Sequence, residues 1–191
     1  MNVDTPEATR QPAADKAARQ RLISRSIWLT VPGTFVLIGG AYGLLPPPRG
    51  MEETGARLVL AVRWLPIAML PYAAVCLDIL AVRFLEGAHN PLLSSESERL
   101  RIRCRVMQNT LEQLVWFAIC VLALANYLAP AQTHLIPIVC TFFCIARFVY
   151  WRGYLRHGTL GRAPGVQLTF TLNISLLVAV LVHFAQDLAA R

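Results

Sequence analysis

RVMQNTLEQLVWFAICVLALANYLAP, residues 105–130, and AQTHLIPIVCTFFCIARFVYWRGY, residues 131–154, decide the fold of this chain. The first opens on polar residues, turns apolar through 111–129 and stops at Pro130. The second is apolar over about 132–151, with Arg147 near its far end. A membrane-crossing helix needs about 20 predominantly apolar residues, and both stretches meet that length. Three more runs have the same character. Residues 27–45 carry no charged side chain and are followed by Pro46-Pro47-Pro48. Residues 58–85 hold Arg63, Pro66, Pro71 and Asp78 around a core, 64–82, that is long enough alone. Residues 166–186 contain His183 and no charge.

The totals agree with this reading. Of 191 residues, 55% are hydrophobic and 15% charged, against about 25% charged in soluble domains, and the mean hydropathy is +0.49. A disordered chain, a nucleic-acid-binding module and most soluble enzymes are excluded. The short alternating segments of a β-barrel are missing. The expectation is an all-α integral membrane bundle of five helices: a flexible tail over 1–24, one span within 25–48, and a four-helix domain over 57–191. A polar segment, 86–98, reads as a loop with Ser94 or Ser95 capping the next helix, and 153–165 reads as a second loop. The net charge of +7 comes from 18 basic residues, all arginine except Lys16. They cluster before the first span, between the second and third, and between the fourth and fifth. Because basic loops stay in the cytoplasm, the tail is expected inside and the C-terminus on the other side. No nucleic-acid partner is expected; membrane lipid is.

Ionisable residues within spans are functional candidates by default. Arg105, Asn109 and Glu112 fall at i, i+4 and i+7 and share one helix face. Arg147, Tyr150 and Tyr154, at i, i+3 and i+7, share a face of the next helix at the same depth. Together they can enclose a polar pocket for a small zwitterion, with guanidinium gripping carboxylate and Glu112 taking an ammonium. The plainer reading remains open: Glu112 pairs with Arg105 or Arg147, and the tyrosines belong to an interfacial aromatic belt. Asp78 is expected to pair with Arg147 or Arg105. Arg63 is expected to snorkel to the outer end, and His134 and His183 to lie at the outer interface. Five cysteines, an odd number with no CxxC, argue against disulfides and a metal site.

At these residues the chain resembles the membrane-associated proteins in eicosanoid and glutathione metabolism, the MAPEG family. The likeness rests on Arg-x-x-x-Asn-x-x-Glu, here RVMQNTLE, followed by Arg-x-x-Tyr-x-x-x-Tyr, here ARFVYWRGY, and covers about residues 60–188. It implies a four-helix subunit, a homotrimer, and glutathione as co-substrate bound between subunits facing the cytoplasm. It carries over Arg105, Asn109, Glu112, Arg147, Tyr150 and Tyr154 as glutathione contacts, with Arg83 near a basic position used by some members. It also implies transfer of glutathione to a lipophilic electrophile, or reduction of a lipid hydroperoxide.

Two features depart from the family pattern. The span within 25–48 is additional. Catalytic members also carry a thiolate-stabilising arginine at the start of the last helix, where this chain reads GRAPGVQLTF and places Val166. Arg162, or else Arg147, is then the candidate for that catalytic role. The GRAPG wording and the extra helix look more like the mattrin-type branch. The alternative function is a non-catalytic member that binds lipid or partner proteins.

Overall fold

The computed structural model describes residues 13–87 and 97–190. Helix α1 spans Ala13–Leu44, α2 Thr54–Leu85 and α3 Glu98–Tyr127. A single 3-10 turn, Pro130–Gln132, leads into a helical run, Leu135–Ala189, that reverses direction at His157 and Gly158. Its two arms are α4 (135–157) and α5 (Leu160–Ala189). All five helices are long and apolar enough to cross a membrane. The chain is a helical membrane bundle, and no strand occurs among the described residues.

Three boundaries differ from expectation. Helix α1 begins at Ala13, so the second half of the expected tail is helical. Its Ala, Lys, Gln and Arg residues are strong helix formers and run without a breaker into the apolar span; residues 1–12 lie outside the described residues. The cap of α3 is Ser97, whose Oγ accepts from the Leu100 amide at 3.1 Å. Ser94 and Ser95 lie outside the described residues. The expected loop over 153–165 contracts to the reversal at His157–Gly158, where Gly158 has φ +58° and ψ −137°, backbone open to glycine.

The remaining glycines of that stretch serve packing. A Cβ on Gly165 would fall 2.6 Å from Tyr150 Cβ and closer still to the Tyr150 backbone. A Cβ on Gly153 would fall 2.8 Å from the Gly161 carbonyl carbon. The α4 and α5 backbones therefore touch, as small residues permit in membrane helix pairs. Pro164 lies inside α5 one turn from its start and removes the amide that would bond the Leu160 carbonyl.

The core lies among α2, α3, α4 and α5. Phe117 stacks on Phe143 with ring centroids 4.4 Å apart, and Ala61 and Ala68 let α2 approach them. One polar pair crosses this core: Asn173 Nδ2 donates to Gln113 Oε1 at 2.9 Å. Cys120, Cys140 and Cys144 are buried as free thiols. Helix α1 packs on the outside of this bundle and leaves Trp28, Leu29 and Val36 exposed, an apolar face suited to lipid.

Candidate functional site

The site forms where the Arg-rich end of α3 meets α4. Arg147 Nη2 donates to Asn109 Oδ1 at 3.1 Å and to Thr110 Oγ1 at 2.6 Å. The two motif faces thus meet at one level. The Arg147 guanidinium also lies 4.0 Å from the centroid of the Tyr150 ring. From α5, Arg162 reaches back and places its guanidinium 5.1 Å from the Tyr154 ring. The Tyr150 and Tyr154 rings are 6.0 Å apart.

Burial divides the motif residues. Arg147 and Tyr150 are each 1% exposed, and Tyr154 is 9% exposed. Asn109 is half-buried, whereas Arg105 and Glu112 are exposed. Glu112 accepts from Gln108 Nε2 at 3.2 Å, so its partner is neither Arg105 nor Arg147. Both rim residues sit on the outward part of the α3 face, one turn on either side of Asn109. Arg147 Nε and Nη1 are buried and meet no acceptor among the described residues. Buried donors without partners are uncommon and call for an explanation; a ligand carboxylate is the natural acceptor for a guanidinium edge.

A cavity of about 350 Å³ adjoins these groups. Asn109, Tyr150, Arg162 and Val166 form one side, and Ile23 and Ile27 of α1 form the other. Of the other expected contacts, Arg147 and Tyr154 lie behind this lining rather than in it, and Arg105, Glu112 and Arg83, which occupies the last turn of α2, do not line it. Another cavity, of about 450 Å³, lies toward the opposite end between α1 and α5 and is mostly apolar. Its polar lining is Tyr42, Gln132, His183 and the hydroxyls of Thr34 and Ser175, with no arginine, whereas the smaller cavity brings Arg162 together with Tyr150, Asn109 and Gln167.

Other charged residues settle differently from expectation. Asp78 pairs with Arg103, Nε to Oδ2 at 2.7 Å, rather than with Arg147 or Arg105. Arg103 precedes Arg105 by two positions, about 200° around the helix, and so points toward α2. His134, the residue just before α4, is buried against α1: its Nε2 lies 3.2 Å from the Tyr42 carbonyl oxygen, and its ring lies 4.1 Å from the Tyr42 ring, tilted by 31°. His183 stacks on Tyr127 with centroids 5.4 Å apart. Arg63 is exposed.

Two participants escaped the motif reading. Thr110 supplies the shortest bond to Arg147, yet a threonine inside a span reads as packing. Gln167 joins α5 to α1 through Ser26, Thr30 and the Ile23 carbonyl. Its one signal was an amide at the start of an otherwise apolar run.

Chemically, the site offers two guanidiniums, two phenols and an amide in a low-dielectric setting, with one carboxylate at the rim. Such groups bind an anionic or zwitterionic small molecule and stabilise negative charge developing beside Arg162. No curated protein and no solved structure matches the chain. The MAPEG family model matches residues 58–182, from α2 into the last turns of α5 and leaving out α1. On that match, which covers most of the sequence and contains the whole α3–α4 motif pair, the chain belongs to the MAPEG family.

Proposed function

We propose that this protein binds glutathione at the Arg-rich, cytoplasmic end of the bundle and presents its thiol to lipophilic electrophiles or lipid hydroperoxides. The observation that carries the reading is the Arg147–Asn109 hydrogen bond, which joins the two motifs into one site. In this reading a glutathione carboxylate entering past Asn109 and Tyr150, which line the cavity, takes up the buried and unpartnered Nε and Nη1 of Arg147 behind them. Tyr150 and Tyr154 contribute hydroxyl donors, and Asn109 positions the peptide backbone of the ligand. Arg105 and Glu112, exposed at the rim, suit the other carboxylate and the ammonium. In a homotrimer these rim groups would face a neighbouring copy, which fits their exposure in the single chain.

A thiol with pKa near 8.5 needs a cation or strong donors to ionise at neutral pH. Arg162 fills that role: it lies one turn before Val166 on the same face of α5 and borders the same cavity. The thiol proton passes to solvent. With a chloronitrobenzene the thiolate forms the carbon–sulfur bond as chloride is expelled to the aqueous side. With a lipid hydroperoxide it takes the terminal oxygen, releasing the lipid alcohol, and the resulting sulfenic acid condenses with a second glutathione to give the disulfide and water.

Val166 favours a second reading, a glutathione-binding but non-catalytic member of the mattrin-type branch, because a valine there supplies no charge to the sulfur. Titration of the purified protein with glutathione, followed by assay with a chloronitrobenzene and a lipid hydroperoxide, separates the two. Binding with turnover supports the enzyme, binding without turnover supports the second reading, and loss of both rejects the site. A tag at the C-terminus is expected to react only from the non-cytoplasmic side.

A further inference from the structure

Helix α1 lies outside the stretch that matches the family, 58–182, yet it contributes Ile23 and Ile27 to the cavity that holds Asn109, Tyr150 and Arg162. These isoleucines are four residues apart and therefore share one face of α1. Across the cavity from them are Ala163 and Val166 of α5. The site thus has a polar side, set by α3 and α4, and an apolar side that α1 completes within the same chain.

A polar clamp fixes that apolar side. Thr30 Oγ1 donates to Gln167 Oε1 at 2.8 Å, and Gln167 Nε2 donates to Ser26 Oγ at 2.8 Å and to the Ile23 carbonyl at 3.2 Å. Ser26 Oγ in turn donates to the Ile23 carbonyl at 2.7 Å. These are bonds between segments about 140 residues apart in sequence, within a helix pair where water offers little competition. The clamp begins one residue after Val166 and engages α1 between Ile23 and Thr30. It therefore fixes how far the isoleucines stand from Arg162. The cavity of about 350 Å³ is near the lower bound for small-molecule sites, about 300 Å³.

We propose that α1 is a specificity wall: Ile23 and Ile27 restrict the apolar group carried by, or delivered to, the glutathione sulfur to a small one, and Gln167 is the positioning residue that holds the wall in place. This rests on the glutathione reading above. A ligand sulfur beside Arg162 and Tyr150 faces the isoleucines, and a long alkyl group on it meets α1 before it reaches lipid.

The test uses the full chain in lipid nanodiscs, titrated with S-methyl-, S-hexyl- and S-decyl-glutathione. Wild type is expected to bind the S-methyl form at least about tenfold more tightly than the S-decyl form. Two variants, Ile23→Ala with Ile27→Ala, and Gln167→Leu, are expected to shift that ratio toward the S-decyl form by about tenfold. A wild-type preference for the long chain, or a ratio that neither variant moves, overturns the wall. Should no glutathione compound bind, the glutathione reading fails, and the wall is judged by labelling instead. A cysteine introduced as Val166→Cys should react slowly with a maleimide above the background of native thiols. Adding Gln167→Leu should accelerate it about tenfold, and equal rates in the two backgrounds refute the proposal.

Discussion

Replacing Gly165 by alanine adds one methyl group at the point where α5 touches the α4 backbone. That methyl would stand 2.6 Å from Tyr150 Cβ, whereas ordinary contact begins at 3.4 Å. The nearest obstacles also include Tyr150 Cα and N, so no rotamer change relieves the overlap and the helices must part by about 1 Å. Overpacking of this kind costs about 1–3 kcal/mol. Gly165 lies between Arg162 and Val166, and both ride outward with α5. A displacement of about 1 Å at a binding site can cost as much as a hundredfold. We expect Gly165→Ala to lose about 2 kcal/mol of stability and at least about tenfold in glutathione affinity. The assay is denaturant unfolding in micelles alongside a glutathione titration. Gly43→Ala is the control: no atom lies within 4 Å of its added Cβ, and alanine favours the helix there by up to about 1 kcal/mol. If the two variants unfold alike and bind alike, the close α4–α5 contact is wrong and the site geometry with it.

Further expectations follow from the charged groups. Arg147→Met removes a guanidinium whose Nε and Nη1 await an acceptor. Two charge-assisted bonds of about 1.5–3 kcal/mol each translate to at least a hundredfold loss of glutathione affinity, read by calorimetry, while Arg63→Leu stays within about threefold of wild type. Stability of the unliganded Arg147→Met protein should change little, because an apolar replacement also removes the cost of burying a charge. Asp78→Leu strands Arg103 and is expected to cost about 2 kcal/mol; adding Arg103→Leu should recover most of it, and a double-mutant cycle with no coupling would place the pair in solvent.

Much of this architecture was legible because membrane spans announce themselves. Each of the five apolar runs became a helix, and the shared spacing of Arg105, Asn109 and Glu112 and of Arg147, Tyr150 and Tyr154 foretold that α3 and α4 meet at one level. The Arg147–Asn109 bond is that meeting. What periodicity could not supply was the direction of each face. A span is apolar all round, so its pattern does not say which side meets protein and which meets lipid. Hence Arg103 rather than Arg105 or Arg147 turned out to hold Asp78, and Glu112 turned toward Gln108. Gly153, Gly161 and Gly165 read as loop punctuation, yet they are where two backbones touch; glycine signals a turn and a close contact with the same letter. The role of α1 was hidden for a related reason. Ser26, Thr30 and Gln167 at one end and the Tyr42–His134 contact at the other mark its docking, and short polar side chains within a span gain meaning once their partners across the bundle are known.

Arg147, drawn to Asn109, is proposed as the anion grip of a glutathione site. The most direct measurement of that role is equilibrium binding of isotope-labelled glutathione to the protein in nanodiscs, with wild type and Arg147→Met run in parallel. We predict saturable binding with Kd of about 1 mM or tighter in wild type and none in the variant over the same range. Saturable binding of equal strength in both proteins, or none in wild type, contradicts the claim.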